Sequence, residues 1–195
     1  MKKENNSEAI KKFAGKGVFP HQFAFTLLLP LRNIFLSPKQ LIDRLELEEN
    51  FNVLEIGPGP GYFSLKIAQK LTKGKMVLTD IQQEMLNYAK KRIDKKELKN
   101  VEYKLCNGTK LNFGNESFDR VFMVTVFGEV QNKEEYLREI HRILKRDEVL
   151  SISELAGDPD KMSLEELKDL VCANGFSLDK QFGSARNYTA NFIKS

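Results

Sequence analysis

Sulfur and imidazole are scarce in this chain. It holds two cysteines, Cys106 and Cys172, and two histidines, His21 and His141, among 195 residues. There is no CxxC pair, so neither the disulfide framework of a small secreted fold nor a Cys/His zinc domain can be assembled. No metal site is therefore expected, and a reducing cytoplasm is the compartment that fits. Residues 1–12 are polar and charged, without the apolar stretch and small-residue cleavage site of a secretory leader. One-sided charge is missing too: 31 Lys and Arg against 27 Asp and Glu leave a net charge of +4, far from a histone-like nucleic-acid binder. Long apolar runs are also absent. The nearest approach, residues 18–36 (VFPHQFAFTLLLPLRNIFL), is broken by Pro20, His21, Pro30 and Arg32. Those breaks exclude a transmembrane helix but leave room for peripheral contact with a membrane surface. What is present is a globular composition, 41% hydrophobic and 30% charged, at a length that suits one domain with an appendage.

The chain becomes regular at Ser37-Pro38, a hydroxyl cap with proline at the first helical position. Short apolar runs then alternate with amphipathic ones. Strands are expected at residues 52–56 (NVLEI), 75–79 (KMVLT), 101–105, 118–124 (FDRVFMV) and 149–153. Helices are expected from Phe63 to Leu71, over 82–94 and over 133–145, and after the capping box Ser163-Leu-Glu-Glu166 up to Gly175. Two final strands, near 176–182 and 188–193, are joined by GSARN, too short for a crossover helix, so this pair is antiparallel. Five β/α alternations and a closing hairpin predict an α/β fold: a doubly wound, seven-stranded, mostly parallel sheet with an antiparallel last strand and helices on both faces.

In such a sheet a ligand sits beyond the carboxyl ends of the strands. The first strand ends in Glu55-Ile56-Gly57-Pro58-Gly59-Pro60-Gly61-Tyr62. Alternating glycines let a ligand approach the backbone, and the helix that follows turns its first N–H groups to the same place. A dinucleotide fingerprint would need glycine where Tyr62 stands, and a Walker loop would need G-K-S/T. Glu55 suits a cationic ligand better than a pyrophosphate. Asp80, about 20 residues after the loop and at the end of strand two, is placed to accept both hydroxyls of a ribose.

Taken together, VLEIGPGPGYFS, VLTDIQQEML, NESFDRVFMV and YLREIHRILK resemble the class I S-adenosylmethionine-dependent methyltransferases, in the small-molecule group that includes the ubiquinone and menaquinone biosynthesis enzymes. The resemblance runs in order over residues 37–195 and implies a Rossmann-like methyltransferase fold with S-adenosyl-L-methionine as cofactor. By that resemblance Glu55, Gly57, Pro58, Gly59, Gly61 and Tyr62 hold the methionine moiety and ribose. Asp80 grips the ribose hydroxyls and Ile81 packs on adenine. Asn107 and Gly108 reach the adenine edge, with Asn107 in place of the family's acid, and Thr125 offers backbone to the methionine end. Glu129 stands where a histidine is often found.

Two residues are candidates for acceptor chemistry: His21 in the aromatic N-terminal segment and Glu129 at the mouth of strand four. His141, the cysteines and the scattered lysines and arginines read as rim, core filler and solvated surface. Residues 1–36 are expected to form a helical lid, with Phe19, Phe23, Phe25 and the run 27–29 covering an apolar small-molecule methyl acceptor. The loop also resembles the ribosomal RNA adenine dimethylases. Their N-P-P-Y-like tetrad is replaced here by Val124-Thr125-Val126-Phe127, so nucleic acid is not the expected partner. A cofactor-binding protein without catalysis, or a subunit of a partner methylase, is the alternative reading.

Overall fold

The computed structural model describes residues 34–106, 108 and 110–195. Seven strands form one sheet: β1 (Asn52–Ile56), β2 (Lys75–Asp80), β3 (Val101–Leu105), β4 (Phe118–Val124), β5 (Leu144–Glu154), β6 (Phe176–Ser184) and β7 (Asn187–Lys194). They lie in the order β3-β2-β1-β4-β5-β7-β6. All neighbours from β3 to β5 are parallel, and β7 alone runs against both β5 and β6. Between β5 and β6 the chain crosses over by a helix, which leaves a gap one strand wide. The hairpin returns β7 into that gap.

Among the described residues five helices flank the sheet: α1 (Pro38–Leu45), α2 (Ser64–Lys70), α3 (Gln83–Asp94), α4 (Lys133–Ile143) and α5 (Leu164–Cys172). Strand alternation splits the core in two. On one face Leu54, Ile56, Val121, Met123, Leu150 and Ile152 pack under α4 and α5. On the other, Val53, Met76, Leu78, Phe122 and Val124 pack under α1, α2 and α3. The expected caps are in place. Ser37 and Gln40 close a capping box on α1, and Ser163 and Glu166 close one on α5.

Three expectations need correction. α4 ends at Ile143, and Leu144 already pairs with Phe118 in β5. A shift of register follows between Phe118 and Arg120, and Asp147 sits at φ 59, so the stretch from the expected helix end at 145 to the expected strand at 149 is an irregular strand start. Cys172 is exposed on α5, so only Cys106 is core. Two cations are not solvated: Arg120 and Lys194 are buried. Arg120 donates through Nε to the Leu45 carbonyl at 2.8 Å, pairs with Glu148 and lies 4.6 Å over the Phe51 ring. Burial of a guanidinium is tolerated here because the Leu45 and Asp119 carbonyls and the Glu148 carboxylate accept from it and the Phe51 ring lies against it.

Candidate active site

The glycine loop leaves the end of β1 with Gly57, Gly59 and Gly61 all at positive φ (67, 53 and 78°). At Gly57 the need for glycine is steric as well as conformational: a Cβ there would lie 2.5 Å from Cγ2 of Val126. The Gly57 N–H donates to the Thr79 carbonyl and the Gly61 N–H to the Pro58 carbonyl, so the loop is folded against the end of β2. Tyr62 and Phe63 are buried, stacked edge to face at 4.9 Å. Glu55, 3% exposed, accepts a 2.5 Å hydrogen bond from the Ser64 hydroxyl at the start of α2. Sequence reasoning missed Ser64; its place one residue beyond Phe63 was the available signal.

Asp80 ends β2 and is 7% exposed. Burial pushes its carboxyl up to about 6, against the pull of backbone N–H groups of Gln82, Ile81 and Gly59. The Gln82 N–H donates to Oδ1 at 2.9 Å. The Gly59 N–H contact ties this acid to the glycine loop. Ile81 is buried beside it. At Gly108, φ is 108° and nothing lies within 4 Å of where a Cβ would stand. Thr125, at φ 55, donates its N–H to the Ser153 carbonyl and its hydroxyl to the Val124 carbonyl. Asn107 and His21 lie outside the described residues, as do residues 1–33 of the lid expected over residues 1–36.

Glu129 closes a short 3₁₀ turn (Phe127–Glu129) after β4. Its carboxyl is pushed up to about 7, first by burial and then by Asp158, Asp160 and Asp80. Sequence reasoning placed Glu129 but missed its neighbours. Asp158 and Asp160, in the Asp-Pro-Asp run of residues 158–160, bear on it as like charges, and Glu154, the last residue of β5, in turn feels Glu129. Their signal was a strand ending in acid and followed by G-D-P-D, which spacing alone does not connect to Glu129. His141 is away from this edge: it packs edge to face on Phe176 at 5.3 Å, beside Gly175, at the opposite end of the strands. Burial pushes the Cys106 thiol up to about 11, which makes it a poor nucleophile.

A buried acid at the end of β2 and a glycine loop at the end of β1 stand side by side at the carboxyl ends of the strands, the edge where doubly wound sheets take their ligands. Residues 47–189 match the family model described as a methyltransferase domain, and the chain belongs to that family. Its fold is that of the class I S-adenosylmethionine-dependent methyltransferases. A SAM dependent methyltransferase from Aquifex aeolicus superposes with a TM-score of 0.86 at 24% identity, covering 91% of this chain and all of that one. In sequence, the chain is similar to the ubiquinone/menaquinone biosynthesis C-methyltransferase UbiE of Rickettsia prowazekii, 35% identical over 101 residues, 49% of this chain and 41% of the relative. The UbiE of Coxiella burnetii is 27% identical over 144 residues, 73% of this chain and 56% of the relative. The chain thus spans about half the length of these curated relatives. Among the described residues no helix is long and apolar enough to cross a membrane.

Proposed function

We propose that the chain transfers the methyl group of S-adenosyl-L-methionine to a small organic acceptor with a largely apolar body. The observation that carries this reading is Asp80: a buried carboxylate held by N–H groups of both its own turn and Gly59, so that ribose hydroxyls can be accepted where the glycine loop admits the rest of the cofactor. When bound, the cofactor supplies an electrophilic methyl carbon on a sulfonium; its S–C bond breaks as the bond to the acceptor forms, and the electron pair stays on sulfur.

The chain's own residues bind, orient and exclude water. Gly57, Pro58, Gly59 and Gly61 bring backbone to the ligand. Glu55, fixed by Ser64, offers a carboxylate to the cationic end. Ile81 and the open Gly108 position flank the base. Thr125 positions backbone at the start of the acceptor mouth, and Tyr62 and Phe63 keep the loop's underside dry. An apolar acceptor is supported by the naming of the UbiE relatives for ubiquinone and menaquinone biosynthesis. The free thiols Cys106 and Cys172 support a reducing, cytoplasmic compartment.

Calorimetric titration with S-adenosylhomocysteine and with NAD tests the cofactor. Binding of the first and not the second is expected, and the reverse would overturn the reading. Turnover of methyl-labelled cofactor then separates an enzyme from a cofactor-binding subunit.

A further inference from the structure

Glu154 is a buried carboxylate that the cofactor reading leaves unused. It is 0% exposed, and among the described residues neither of its oxygens has a hydrogen-bond partner. The Gly128 N–H bears on it without reaching hydrogen-bonding geometry. A buried carboxyl with two idle oxygens is costly, and such groups are retained where a ligand completes them.

Its surroundings narrow the ligand. Glu154 feels Asp158 and Glu129 as like charges, and Glu129 in turn feels Asp158, Asp160 and Asp80. Tyr188 faces Glu154 across the β5/β7 pair and donates its hydroxyl to the Met162 carbonyl, 2.9 Å away. Two lysines are near enough to bear on this group. Lys133, however, directs Nζ to the Gly128 and Val130 carbonyls, and Lys161 directs Nζ to the Ala185 and Arg186 carbonyls. The acids thus outnumber the cations, and the cations are committed to backbone. Among the described residues no three acids converge closely enough to hold a metal ion, so an organic cation is the fitting complement. An anionic acceptor, such as a phenolate, would be repelled by the same field.

We infer that Glu154, with Glu129 as its partly exposed partner, forms a subsite for a protonated nitrogen on the methyl acceptor, so that the substrate class is an amine on an apolar body. This rests on the methyltransferase reading. An ammonium entering between the two carboxyls supplies the missing donors. It then cedes one N–H proton to a carboxylate oxygen, which leaves a nitrogen lone pair free to take the methyl group; the carboxyl later returns the proton to water.

Binding of a cation also draws the carboxyls, raised to about 8 at Glu154 and about 7 at Glu129, toward their ionised forms. Protons are therefore released when an amine binds near neutral pH.

The full chain, saturated with S-adenosylhomocysteine, is titrated with cyclohexylamine, cyclohexanol and cyclohexanecarboxylate, with heat measured in buffers of different ionisation enthalpy. The amine is expected to bind tightest and to release protons. In Glu154→Gln the amine affinity falls roughly ten- to a hundredfold and proton release shrinks, with S-adenosylhomocysteine affinity unchanged. Glu129→Gln serves as the second variant and weakens the amine to a lesser degree. Equal binding of amine and alcohol by the native chain overturns the inference, as does an amine preference kept in both variants. Failure of S-adenosylhomocysteine itself to bind would instead overturn the cofactor reading.

Discussion

Replacing Asp80 with Asn separates what this acid does for the ligand from what it does to the fold. The folded-state pKa is raised from 3.8 to about 6, chiefly by burial. A group whose folded pKa lies above its unfolded value stabilises the fold fully below the unfolded pKa, and that contribution is lost as pH rises through the folded one. Above pH 6 the ionised Asp80 therefore disfavours the empty fold. At about 1.4 kcal/mol for each tenfold change in proton affinity, the rise sets this penalty at about 3 kcal/mol. Asn cannot ionise, so Asp80→Asn is expected to unfold at a higher denaturant concentration than the native chain at mildly alkaline pH. The gap should fall by about half near pH 5, between the two pKa values. The same change replaces a charged acceptor of the ribose hydroxyls by a neutral amide, which weakens S-adenosylhomocysteine by roughly ten- to a hundredfold. Urea titrations at the two pH values, paired with calorimetric binding, read both effects. A variant that is no more stable at alkaline pH and binds as well as the native chain would refute the reasoning.

Other expectations follow from single contacts. Gly57→Ala forces a Cβ into Val126 at positive φ and should lose roughly 1–3 kcal/mol of stability together with cofactor affinity, read by denaturation and titration. Gly59→Val should abolish cofactor binding while circular dichroism still reports a folded sheet; normal binding would make the loop a mere turn. Arg120→Met strands the Glu148 carboxylate and the Leu45 carbonyl and should cost about 3 kcal/mol in a urea titration at neutral pH. Ser163→Ala removes the hydroxyl half of the α5 capping box, with a loss of about 1 kcal/mol by thermal denaturation.

Short-range pattern determined much of this protein from its sequence. β1 and β4 begin and end where they are expected, because a strand buried on both faces is mostly apolar, and the partly exposed edge strand β3 keeps its expected bounds as well. The α1 and α5 starts follow from Ser-Pro and from Ser-x-x-Glu, chemistry completed within one helical turn. The glycine loop and Asp80 were legible together because adjacent parallel strands bring β1 and β2 ends side by side. Only the tertiary structure decided the rest. Leu144 carries a helical spacing, yet pairing with Phe118 pulls it into β5, since a ladder partner outweighs local periodicity. Arg120 reads as a surface cation until Leu45, Phe51 and Glu148 close around it. Glu129 and Glu154 are 25 positions apart, and Glu129 bears on Glu154 as a like charge only because β4 and β5 are neighbours. Helix caps and strand limits depend on contacts within a few residues, which sequence order supplies. Burial and electrostatic coupling depend on which distant segments pack together, and the packed sheet alone brings those segments into contact.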